Sequence, residues 1–117
     1  MDINADSLFS ALANDTRLRS LMLLLGHDEL CVCELTHALG LAQPHISRHL
    51  ALMRESGLVS DRREGLWVHY RINPEIPTWV SSVLQDVYEG ISSQKPYRDD
   101  ASVLDKMPNR PGAPRCA

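Results

Sequence analysis

Apolar residues along this chain follow two rhythms, and the switch between them divides it. Up to Met53 they recur at intervals of three and four, the period of a helix with one buried face. Residues 7–12 predict a short helix, and Asn14 and Asp15 are suited to cap a second that runs to about Leu25. That second helix carries Leu18, Leu21, Met22, Leu24 and Leu25, and Gly26 is placed to end it as a C-cap. Leu35, Ala38 and Leu39 predict a third, short helix closed by Gly40. Pro44, tolerated at a first helical position, opens a fourth that buries Ile46, Leu50 and Met53 and stops at Gly57.

From Leu58 the rhythm changes. Residues 58–63 and 66–72 are rich in β-branched and aromatic types and flank Glu64-Gly65, which predicts a β-hairpin. Pro77 then opens a last helix with Ile76, Trp79, Val80, Val83, Leu84, Val87 and Ile91 at helical spacing. Beyond Gln94 the chain is polar and rich in proline, so residues 93–117 are expected to form a flexible tail behind one domain of residues 1–92. No repeat at a period of about 20 to 50 residues suggests a solenoid.

Two short helices joined by residues 40–43, the second leading into a basic hairpin, are the parts of a winged helix-turn-helix. The expected fold class is therefore mainly α with a β-hairpin wing. With Ile46, Leu50 and Met53 turned inward, Gln43, His45, Ser47, Arg48 and His49 are left to face a DNA major groove. Gln can pair with an adenine edge and Arg with guanine N7 and O6. Arg62 and Arg63 lie near the hairpin tip, where a wing meets phosphates or a minor groove. A polar helix face is ordinarily just solvated, and it is the order of elements that favours contact with duplex DNA. For His49, beside Leu50, the alternative is packing against the hairpin.

Charge is distributed to match. The net charge is -3, but residues 1–42 carry Arg17 and Arg19 against six acids, whereas residues 43–71 carry five arginines against Glu55, Asp61 and Glu64. At 117 residues and 44% hydrophobic the chain suits a single packed domain rather than a two-domain enzyme. No apolar run approaches a membrane span and the first residues are acidic where a signal peptide would be basic, so a cytoplasmic location is expected. A reducing cytosol keeps Cys31, Cys33 and Cys116 out of a disulfide scaffold.

Cys31 and Cys33 are soft ligands suited to thiophilic ions such as arsenite, antimonite or mercury. Within a helix, residues i and i+2 diverge by about 200°, so one ion held by both should unwind, or hold unwound, the first turn of the third helix. That helix is expected to pack on the reading helix, which couples ion binding to DNA release. The alternative is that both are buried as small hydrophobes or act as a redox pair.

Residues 29–35 (ELCVCEL), 43–59 (QPHISRHLALMRESGLV) and 65–71 (GLWVHYR) resemble an arsenic-responsive repressor of the ArsR/SmtB family, over about residues 8–88. The resemblance implies a dimeric winged-helix repressor that binds operator DNA without ligand and derepresses arsenic-resistance genes on binding arsenite or antimonite, with no prosthetic group. Many members carry a third cysteine where this chain has Thr36, followed by His37; Cys116 is the candidate to complete the site. The zinc-sensing branch uses His and Asp on the last helix, where this chain offers Asp86 and Glu89 but no histidine.

With the family in view, the long apolar stripe places Leu8, Phe9, Leu12, Trp79, Val80, Val83, Leu84 and Val87 at a homodimer interface, the alternative being that all of it is core. Three rivals to the metalloid reading remain. For a small thiol oxidoreductase the chain lacks Cys-x-x-Cys spacing, a βαβ frame and a Gly-rich loop, so no enzyme is expected. A winged-helix repressor could sense oxidation through the same cysteines. A structural zinc module would need His27 or His37 beside them.

Overall fold

Two asparagines start the fold. The Asn4 side chain accepts the Ser7 backbone N–H at 2.9 Å and opens α1 (Ala5–Leu12); the Asn14 side chain accepts that of Arg17 at 3.1 Å and opens α2 (Asp15–Gly26). The computed structural model describes residues 3–108. Its remaining elements are β1 (Leu30–Cys31), α3 (Val32–Leu39), α4 (Gln43–Glu55), β2 (Val59–Glu64), β3 (Trp67–Ile72), α5 (Thr78–Ile91) and α6 (Tyr97–Asp105).

α2 supplies the centre, with Leu21, Met22, Leu23 and Leu24 all buried. Leu35 of α3, Ile46, Leu50 and Met53 of α4, Leu58, and Val80 and Leu84 of α5 close around it. Each such side chain contributes about 1.5–3 kcal/mol on leaving water. Gly40 turns the chain between α3 and α4 at φ +67°, in the left-handed region, with its N–H donated to the Thr36 carbonyl at 3.0 Å. Gly26, expected outside its helix, is instead the last residue of α2, and His27 is the C-cap. A Cβ there would stand 2.9 Å from the Tyr88 hydroxyl, so the glycine serves the packing of α5 against α2.

The sheet has a third strand that the hairpin pattern does not announce. β3 lies between β2 and β1, both antiparallel to it, with Asp61 opposite Tyr70 on one side and Leu30 opposite Tyr70 and Cys31 opposite His69 on the other. Two residues are too few to show an alternation, which is why β1 is silent in the sequence.

Two expectations are corrected. The tail foreseen from Gln94 contains α6, seated on α2 and α3. Leu104 and Met107 are buried, as is Asp100, which receives a two-pronged bond from Arg19: Nε to Oδ2 at 2.8 Å and Nη2 to Oδ1 at 2.7 Å. Residues 109–117, Cys116 among them, lie outside the described residues. Of the residues expected at a subunit interface, Leu8, Val80 and Leu84 are fully buried within the chain itself and belong to its core. Phe9 and Trp79 are exposed, and Leu12, Val83 and Val87 are half-buried. Among the described residues no helix is long and apolar enough to cross a membrane.

Candidate nucleic-acid interface and thiol site

The cysteine pair sits at a junction of strand and helix. Cys31 is the N-cap of α3 with extended backbone (φ −82°, ψ 161°), while Cys33 lies in the first helical turn. Because Cys31 is outside the helix, the 200° divergence of i and i+2 does not apply, and the two sulfurs stand 3.0 Å apart. No bond joins them to each other at that distance; Cys31 is a free thiol, whereas Cys33 is disulfide-bonded, against the expectation that both are held as thiols. The expected unwinding of α3 is therefore unnecessary: strand geometry at one cysteine brings the sulfurs together with the helix intact.

Glu34 completes the cap. Its Oε1 accepts the Cys31 N–H at 2.8 Å, and the side chain is buried. The spacing matches a capping box, with a cysteine in place of the usual Ser or Thr. Burial pushes the Cys31 thiol above its ordinary value, and the charge of Glu34 adds to this; backbone N–H groups of Glu34 and Cys33 pull partly the other way.

Both cysteines line an open cleft of about 180 Å³. Its opposite walls are Gln43 and Ser47 from the start of α4, and Arg63, Leu66, Trp67, Val68 and Tyr70 from the wing. The two cysteines thus share one cavity with three of the residues expected at DNA, Gln43, Ser47 and Arg63.

Pro44 starts α4 in the role expected of it, and Gln43 and Arg48 are exposed on that helix while His45 and Ser47 are half-buried. His49 is not on the outer face. It is 9% exposed, packs edge to face on His45 with ring centroids 4.7 Å apart, and meets Arg17 Nη1 at 3.1 Å through Nδ1. Its inward position corrects both the groove-facing and the hairpin-packing readings, since the partner is α2. Burial, reinforced by the nearby His45, Arg17 and Arg48, holds the His49 imidazole below its ordinary pKa. His45 reaches Thr16 Oγ1 through Nε2 at 3.0 Å and Arg48 Nη2 through Nδ1 at 3.3 Å.

On the wing the two arginines differ. Arg62 is committed to protein carboxylates, with Nη2 2.6 Å from Glu29 and Nη1 2.6 Å from Glu64, which raises its already high pKa. Its charge is largely neutralised, contrary to the role expected for it, whereas Arg63 is exposed at the cleft. His27 faces α6, bonding the Leu23 carbonyl at 2.9 Å and Asp105 at 3.4 Å, and His37 is exposed on α3. Among the described residues no three His, Cys, Asp or Glu side chains are grouped to hold a metal ion, so neither histidine joins the cysteines as a zinc module requires. Sequence reasoning missed Thr16 and Arg17, which carry no motif, and Glu34, whose spacing from Cys31 was the available signal.

With that geometry in hand, the comparisons are specific. Residues 14–61 match the model of the bacterial regulatory protein arsR family. The arsenic resistance transcriptional regulator ArsR1 of Pseudomonas putida is 50% identical over 107 residues, covering 92% of this chain and 82% of that protein. The arsenical resistance operon repressor of Escherichia coli is 53% identical over 81 residues, 69% of each chain. The crystal structure of the AntR antimony-specific transcriptional repressor superposes with a TM-score of 0.60 at 33% identity, covering 74% of this chain and 78% of that one. A winged helix-turn-helix with a Cys-x-Cys pair at the start of α3, related over nearly its whole length to such a regulator, belongs to the arsR family of bacterial regulatory proteins.

Proposed function

We propose that this chain is a cytoplasmic, homodimeric repressor of an arsenic-resistance operon, and that arsenite or antimonite bound by Cys31 and Cys33 releases it from operator DNA. The observation that carries the reading is the pair of sulfurs 3.0 Å apart on the wall of a cleft whose other walls are Gln43, Ser47 and Arg63. Once a cellular thiol has reduced the disulfide at Cys33, itself being oxidised in exchange, neutral arsenite condenses with the two thiols, forming two As–S bonds and releasing two waters, with no change in the oxidation state of arsenic. An ion held this way occupies the cleft beside the first turn of α4. Gln43 and Ser47 must then reseat, and a ligand shifts the DNA equilibrium by its difference in affinity between the bound and free forms. Arg48 and Gln43 read base edges, Ser47 and Arg63 meet phosphate or groove edges, and Cys116 is the candidate third sulfur.

The names of the relatives support arsenic and antimony as inducers, and the soft donor pair fits both. Operator-release titrations test the reading. Cys31→Ser and Cys33→Ser are expected to bind operator normally and to resist release by arsenite, because a hydroxyl is a hard, barely ionised substitute for a thiolate. Cys116→Ser is expected to respond, at higher arsenite if the tail supplies a sulfur. Release of Cys33→Ser at wild-type arsenite concentration would sink the thiol trigger; release by hydrogen peroxide but not arsenite would replace it with an oxidation sensor.

A further inference from the structure

We propose that Thr16 and Arg17, at the start of α2, are positioning residues for operator recognition: they hold His45 and His49 as neutral rings, and His45 in turn aims Arg48. The proposal rests on the repressor reading, and the argument is one of donors and acceptors.

A guanidinium has five N–H donors and no acceptor, so any ring nitrogen it meets must present a lone pair. Arg17 Nη1 therefore donates to His49 Nδ1 at 3.1 Å, and Arg48 Nη2 donates to His45 Nδ1 at 3.3 Å. With Nδ1 of His45 unprotonated, its proton sits on Nε2 and is donated to Thr16 Oγ1 at 3.0 Å. Thr16 is buried and its backbone carbonyl accepts the Ser20 hydroxyl at 2.8 Å, while the second Nη of Arg17 is tied to the Ser10 carbonyl at 3.0 Å. The acceptor that selects the His45 tautomer is thus fixed by α2, not by the reading helix.

Read outward, the chain runs from a buried hydroxyl through a neutral imidazole to an exposed arginine. An arginine held before it meets DNA loses less rotamer freedom on binding than one free in water, and its direction favours one set of base contacts. The charged groups around the two rings are Arg17 from α2 and Arg48 from α4, besides the rings themselves.

The test compares Thr16→Val, which keeps shape and removes the acceptor, with Thr16→Ser, which restores it. Duplexes selected by the wild-type protein from a random pool serve as operator, and an unselected duplex of equal length as competitor, at fixed salt. Thr16→Val is expected to lose about fivefold in the ratio of selected to unselected affinity, with unselected binding and melting temperature near wild type. Thr16→Ser is expected to recover the ratio. An unchanged ratio in Thr16→Val overturns the proposal, as does equal loss for both duplexes with a lowered melting temperature, which would mark a merely structural residue. Failure of the wild type to enrich any duplex overturns the repressor reading itself.

Discussion

Glu34 links the cap of α3 to the chemistry of Cys31, and the two roles can be separated. As a cap it accepts the Cys31 N–H; as a buried anion it disfavours the adjacent thiolate. The thiolate is the attacking species, so a thiol pKa held high leaves little of it at neutral pH and makes arsenite capture speed up as pH rises toward that pKa. Glu34→Gln keeps an oxygen for the cap and removes the charge. Its capture rate is expected to rise severalfold at pH 7, with the inflection of the pH–rate profile moved to lower pH. Fluorescence of Trp67, in the cleft wall, reports the reaction once Trp79 is replaced by Phe. An inflection that does not move would show that the thiol does not feel the Glu34 charge.

At the scale of elements, α6 is the unexpected part. Its anchor is the Arg19–Asp100 pair, with side chains 17% and 5% exposed and the Arg19 guanidinium also donating to the Leu39 carbonyl at 3.3 Å. Asp100→Ala leaves that guanidinium only the longer contact to exposed Asp15 at 3.8 Å and is expected to cost about 2–4 kcal/mol in urea unfolding. Asp100→Asn should cost less. A loss under about 0.5 kcal/mol, the range of an ordinary surface change, would mean that α6 is held by Leu104 and Met107 alone. The same element shows where sequence legibility ended. Tyr97, Ala101 and Leu104 do recur at helical spacing, but the four prolines after Gln94 and a polar majority read as tail, and no local signal pairs Asp100 with an arginine 81 positions earlier. The helix-turn-helix and wing were legible because Gly40, Pro44 and Gly57 punctuate them. Gln43 and Arg48 were legible because motif and exposure coincide, and the cysteines by motif alone, since Cys31 is buried; His49 was misplaced because its polarity outweighed its helical spacing from Ile46 and Met53 on the buried face.

At the scale of the whole molecule, α5 carries what the chain's own core leaves over. Val80 and Leu84 are sealed inside, Trp79 is 44% exposed, and Val83 and Val87 are partly so. A carboxylate at a subunit contact is costly, so Val83→Asp is expected to sediment as a monomer and to bind operator at least tenfold more weakly, about 1.4 kcal/mol, because one protomer engages a single half-site. An intact dimer in that variant would place the subunit contact elsewhere. The pairing of Cys31 with His69 bears on what such a dimer reports to its operator. β1 belongs at once to the sheet of the wing and to the cap of the helix-turn-helix, so an ion captured there, as proposed, is expected to tug on both arms of the grip. Release would then work as a latch rather than a dial, with backbone grip and base reading loosened together.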